Sequence, residues 1–218
     1  MRQEKRVIPT IFAHNKKEFN ERFKRLIKLG RDLQIDFMDG RFVKAKGISL
    51  KDIPTLRRYK KISFEAHLMC LEPVKYFKEL KKKGFKKIIF HYEAVKHEEN
   101  ILRVVYYARY LDMKVWIAVN PETSVEKIKK FLDDVDGVLF MGVYPGREHQ
   151  KFISRVYVKI KRLRAMNKKI KIQVDGGVNL NVAKKLGRIG VDFVNSGSFV
   201  ADSDEPKKII KLLERQLL

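Results

Sequence analysis

Three short segments carry the acid chemistry of this chain: Gln34-Ile35-Asp36-Phe37-Met38-Asp39-Gly40, Glu65-Ala66-His67-Leu68-Met69 and Gln173-Val174-Asp175-Gly176-Gly177. Each reads as the end of a β-strand and contains a side chain that can bind a metal or move a proton. In an eight-fold β/α barrel every strand end opens onto one face, so residues distant in sequence converge there. Two carboxylates and one imidazole gathered in that way point to acid/base chemistry on a small molecule around a divalent metal.

The elements that would position them alternate from end to end. Strand-like runs fall at 7–12, 33–37, 62–68, 86–91, 115–119, 138–141, 170–174 and 193–196. Helical patterns lie between and after them at 18–29, 50–59, 74–83, 98–111, 125–132, 154–166, 182–189 and 206–217. Pro73 in a first turn, Ser124 before Val125 and Asn181 before Val182 read as helix starts. Gly30, Gly84 and Gly190 stand where left-handed caps end helices. Eight such units predict a single (β/α)8 TIM barrel of the α/β class spanning residues 1–218, with no linker or second domain.

Composition agrees. The chain has 44% hydrophobic residues, which marks a globular domain and not a disordered one. Its apolar runs are all too short to span a bilayer, and Met1-Arg2-Gln3-Glu4-Lys5-Arg6 lacks the apolar core of a signal peptide. A lone cysteine, Cys70, excludes an internal disulfide and fits a reducing cytoplasm. Beside Met69 at a strand end, it reads as packing and not as a nucleophile. The net charge of +23 raises nucleic-acid binding. The lysines are spread over many helices, as in Lys81-Lys82-Lys83 and Lys207/Lys208/Lys211, which favours a solvated surface that would also draw in an anionic substrate.

The segments together resemble the ribulose-phosphate 3-epimerase family. The resemblance rests on Pro9-Thr10-Ile11 after strand one, Asp36-Phe37-Met38-Asp39-Gly40 after strand two and His67-Leu68-Met69 after strand three. It continues through Val119-Asn120-Pro121, Val143-Tyr144-Pro145-Gly146 with Gln150-Lys151-Phe152, Val174-Asp175-Gly176-Gly177 and Gly197-Ser198. It implies a metal-assisted epimerisation at C3 of a ketose phosphate, interconverting D-ribulose 5-phosphate and D-xylulose 5-phosphate. Asp36 and Asp175 would be the two acid/base groups, with Gln34, Asp36, His67 and Asp175 as ligands of a divalent cation (Zn, Mn, Fe or Mg). Inverting a carbon next to a carbonyl does need two such groups and a sink for the developing oxyanion.

Substrate contacts would come from Thr10, Met38, Met69, Met141, Gly146 and Arg147, and phosphate contacts from Gly176, Gly177, Gly197 and Ser198. For the methionines, sulfur contacts with substrate and ordinary barrel packing are equally open from sequence. Asp39 reads as a turn device accepting loop N–H bonds. The expected partner is a phosphorylated sugar and the expected assembly a homo-oligomer, away from membranes and nucleic acid.

Three departures from the family pattern surround the substrate. Gln34 stands where the family has histidine, which would shift a metal toward oxygen-preferring ions. Arg147-Glu148-His149 replaces small residues after Pro145-Gly146, and Arg41-Phe42-Val43-Lys44-Ala45 lacks the family's Pro-Asn. A changed substrate or a non-catalytic barrel would follow from them. A related lyase is disfavoured because Glu65-Ala66-His67 stands where such enzymes carry Asp-x-Lys.

Overall fold

Eight parallel strands close into a barrel in sequence order, β1 through β8, in a computed structural model that describes residues 6–218. The strands are β1 (Arg6–Ile11), β2 (Leu33–Met38), β3 (Phe64–Met69), β4 (Lys87–His91), β5 (Lys114–Val119), β6 (Gly137–Met141), β7 (Lys171–Asp175) and β8 (Phe193–Ser196). Around them run α1 (Lys16–Leu26), α2 (Val74–Lys83), α3 (Asn100–Tyr110), α4 (Arg155–Met166), α5 (Leu180–Arg188), the short α6 (Ser198–Ala201) and α7 (Pro206–Leu217). Residues 1–5, where a signal-peptide core is not expected, lie outside the described residues.

The period of two along each strand divides its side chains between two environments. Leu33, Ile35 and Phe37 of β2, like Phe64, Ala66 and Leu68 of β3, join the large apolar layer beneath the helices. Their alternates Gln34 and Asp36, Glu65 and His67 belong to the barrel interior. Part of that interior is apolar, through Ile89, Trp116, Ala118, Leu139 and Met141. The rest is polar: Gln34, Glu65, His67, Lys87, Gln173 and Asn195 are all buried. Bulky branched residues usually fill a barrel, so this polar stripe departs from the common interior.

Gly30, Gly84 and Gly190 do end helical segments in left-handed conformations. Three local expectations need correction. The pattern at 50–59 yields only a 3-10 turn at Leu50–Asp52, because Pro54 forces Ile53 into extended backbone (φ −74°, ψ 125°). The pattern at 125–132 is a 3-10 helix, Val125–Phe131. Its buried Val125, Ile128 and Phe131 recur every third residue, and that spacing aligns on a three-residue turn. The cap of α5 is Asn179, whose side chain accepts from Val182 N–H at 3.0 Å, while Asn181 lies inside the helix.

Candidate active site

Parallel register does the first part of the assembly. Asp36 of β2 pairs with His67 of β3, and Gln34 with Glu65, so one imidazole and one carboxylate are neighbours across a strand pair. Asp175 ends β7 beside Met141 and reaches the same point from across the barrel. Gln34 Nε2 donates to Asp36 Oδ1 at 2.8 Å and to Asp175 Oδ2 at 2.7 Å. His67 Nδ1 faces the same two oxygens at 3.1 and 3.4 Å. All four residues are buried.

This geometry sets the electrostatics. Burial pushes the Asp36 carboxyl up to about 6, reinforced by the negative charge of Asp175 and opposed by its bonds to His67 and Gln34. Burial disfavours a charged His67, yet its hydrogen bonds to Asp175 and Asp36 outweigh that and raise it to about 9. An imidazolium at His67 therefore sits among the carboxylates at neutral pH.

Behind it, His67 Nε2 lies 2.9 Å from His91 Nε2. His91, held below the usual histidine range mainly by burial, turns Nδ1 toward Glu93 Oε2 at 3.4 Å. Neither His91 nor Glu93 was expected from sequence. The signal was present: β4 also closes on polar residues, and His91 falls in the inward phase set by Lys87 and Ile89.

The cavity above the carboxylates is lined by Thr10, Met69, Met141, Gly146, Arg147, Gly176, Gly177, Gly197 and Ser198, with Asp36, His67 and Asp175 at its floor. Of the expected substrate contacts, Met38 alone is not in this lining; it packs with Phe12, Val43 and Met69. Asp39 does brace the turn, accepting from Arg41 and Phe42 N–H through Oδ1 and from Leu71 N–H through Oδ2, each at 2.8 Å. Gly177 has φ +69°, and a Cβ there would lie 2.8 Å from Phe152 N, so the turn itself requires glycine. In the strand-six loop the charge that matters is Glu148. It lines the cavity and pairs with Arg22 of α1 at 2.8 Å, while Arg147 is exposed.

Residues 6–201 match the family model described as the ribulose-phosphate 3-epimerase family. The ribulose-phosphate 3-epimerase of Schizosaccharomyces pombe is 31% identical over 218 residues, covering 98% of this chain and 94% of that protein. The Bacillus subtilis enzyme of the same name is 33% identical, covering 94% and 96%. The chain belongs to the ribulose-phosphate 3-epimerase family. Among solved structures, 3-keto-L-gulonate-6-phosphate decarboxylase from Vibrio cholerae superposes with a TM-score of 0.74 over 98% of this chain and 97% of that one. At 12% identity the likeness is one of fold alone.

A divalent cation fits three of the four residues expected to hold it in an epimerase of this family. Asp36, His67 and Asp175 each offer one ligand atom, all within 4.8 Å of one another. Two carboxylates and an imidazole are a common donor set for Zn²⁺ or Mn²⁺. Gln34 does not fit as it is turned. It presents an N–H donor to the carboxylates, and its carbonyl oxygen points away to accept from Asn195 Nδ2 at 2.9 Å.

Proposed function

We propose that this protein inverts C3 of a ketose phosphate, with D-ribulose 5-phosphate and D-xylulose 5-phosphate as the pair it interconverts. The observation that carries the reading is the meeting of Asp36 of β2 and Asp175 of β7, three strands apart round the barrel, on a single Gln34 nitrogen beneath the cavity. A carbon held between them has one carboxyl on each face. One aspartate takes the C3 proton, and the C–H pair moves into a C2–C3 double bond as the carbonyl pair moves onto oxygen. The other aspartate delivers a proton to the opposite face as the enediolate collapses. Roles exchange in the reverse direction. Burial raises the Asp36 carboxyl well above the usual aspartate range, toward neutrality, which suits it to either role.

The imidazolium of His67 places positive charge within 3.4 Å of both carboxylates, which limits their mutual repulsion as protons move. His67, once it gives up its Nδ1 proton, would with Asp36 and Asp175 hold a divalent cation, whose positive charge would then take the imidazolium's place against the developing oxyanion. The turns at Gly176-Gly177 and Gly197-Ser198 would direct backbone N–H groups at the phosphate. A homo-oligomer acting in the cytoplasm belongs to the same reading. Among the described residues, no helix is long and apolar enough to cross a membrane.

A second reading, a ketose phosphate of another shape, is favoured by one observation: Glu148 puts a carboxylate on the cavity wall, with Oε1 3.2 Å from where a Cβ on Gly197 would lie. Exchange of solvent deuterium into C3 of D-ribulose 5-phosphate tests the first reading. Asp36→Asn and Asp175→Asn should each lower it by on the order of 10²–10⁴ with the fold intact by circular dichroism. Near-native exchange in either variant would end the two-aspartate assignment.

A further inference from the structure

Lys87 lies at the opposite end of the barrel from the cavity, at the start of β4, with Nζ 3.6 Å over the ring of Trp116. It pairs with Glu65 Oε2 at 2.8 Å and donates to Gln173 Oε1 at 2.5 Å. From there a row of amides crosses the barrel. Gln173 Nε2 donates to Asn195 Oδ1 at 2.6 Å and to Glu65 Oε1 at 2.5 Å. Asn195 Nδ2 donates to Gln34 Oε1 at 2.9 Å, with Thr10 Oγ1 at 3.2 Å. Gln34 Nε2 closes the row on Asp36 and Asp175. Gln173, Asn195 and Gln34 have no exposed surface.

The direction of this row is dictated by chemistry. An ammonium only donates, so the Gln173 atom beside Lys87 must be its carbonyl oxygen. The Gln173 NH₂ must then donate onward, Asn195 must receive it on oxygen, and Gln34 must receive Asn195 in the same sense. The far end agrees independently, because ionised carboxylates only accept. Turning Gln34 over to offer its oxygen to a cation would set two NH₂ groups against each other at Asn195. Relieving that clash would reverse each amide in turn, until an NH₂ faced the Lys87 ammonium. Because the three amides are fully buried, each reversal leaves donors unmet.

We propose that Lys87, acting through Gln173 and Asn195, is a positioning residue that holds the Gln34 amide as a fixed N–H bridge between Asp36 and Asp175. Gln34 is thus a donor that keeps the two carboxylates in register, and not an oxygen ligand of a metal. The inference rests on the two-aspartate reading for its catalytic consequence. Its structural content, which atom of Gln34 faces the carboxylates, is independent of that reading.

The test replaces the donor-only cation with a group of either polarity. In Lys87→Gln/Glu65→Gln the ion pair becomes a neutral amide pair, so the carboxylates alone hold the row's direction and a cation bound between them can reverse it. Full-length protein is titrated with Mn²⁺ alone, followed by electron paramagnetic resonance, and kcat and KM are measured for C3 exchange on D-ribulose 5-phosphate. The double variant should bind Mn²⁺ at least fivefold more tightly than wild type, since the Gln34 oxygen is freed to turn. Its kcat should fall at least tenfold with KM within threefold. Lys87→Arg, which keeps a donor-only cation, should recover most of both changes.

Should the ion pair not tolerate replacement, Asn195→Leu cuts the row at an uncharged link and must show the same two signs. Unchanged Mn²⁺ affinity in whichever of these variants folds would overturn the proposal, as would failure of Lys87→Arg to recover it in a folded protein. If wild type shows no C3 exchange, the epimerase reading fails while the Mn²⁺ titrations still decide the orientation of Gln34.

Discussion

His67 Nε2 and His91 Nε2 face each other at 2.9 Å, their rings tilted by only 22°, so a single proton bridges them. It resides on His67, which the two aspartates hold charged, while burial keeps His91 neutral. His67 thereby joins the carboxylates above to His91 and Glu93 below.

That arrangement has a pH signature. The His67 pKa is raised by folding, so its stabilisation is fully present below the ordinary value of 6.5 and is lost as pH rises through about 9. In chelator, the difference in Tm between wild type and His67→Gln should be largest below pH 6.5 and shrink steadily from there to pH 9.5. A difference that grows with pH would mean that His67 is neutral in the folded protein.

Glu148 answers a different question, that of substrate charge. Burial raises its carboxyl pKa, and the Arg22 guanidinium opposes the rise. Glu148→Gln should lower KM for a phosphorylated ketose by on the order of three- to tenfold with kcat little changed, the scale of an ion-pair interaction of about 1 kcal/mol. A KM that rises instead would assign Glu148 to the substrate's hydroxyl groups and point to a different sugar.

The turn after β7 is a steric prediction. Gly177→Ala sets a methyl 2.8 Å from the Phe152 backbone in a left-handed conformation. Denaturant unfolding should show a loss of about 1–3 kcal/mol. A neutral outcome would mean that the loop carrying Phe152 shifts freely.

Cys70 is 1% exposed, its Sγ donates to the Phe37 carbonyl at 3.4 Å, and burial pushes its thiol up to about 12. The native protein at pH 8 should therefore leave an aromatic disulfide reagent unreacted over the time in which the denatured chain titrates one thiol. Prompt native reaction would refute the packing role read for this residue.

Local sequence determined much of this protein. Short apolar runs between helical patterns specified eight strands, and glycines marked helix ends. Asp36, His67 and Asp175 stood at strand ends because a parallel barrel presents the last inward residue of each strand on one face. Those are one-dimensional patterns with a direct geometric reading. The helix expected at 50–59 is broken by Pro54, a signal the sequence itself carries, whereas at 125–132 an apolar pattern does not distinguish three residues per turn from 3.6.

The site's inner construction needed the closed barrel. Gln34, Lys87, Gln173 and Asn195 come from four strands, and no local spacing brings a lysine and three amides into one row. Gln34 shows the limit most sharply. As a residue type it offers either an oxygen or an N–H, and sequence allowed the oxygen to be read as a metal ligand. Only the buried partners at both ends, a cation that must donate and carboxylates that must accept, decide which atom faces Asp36 and Asp175.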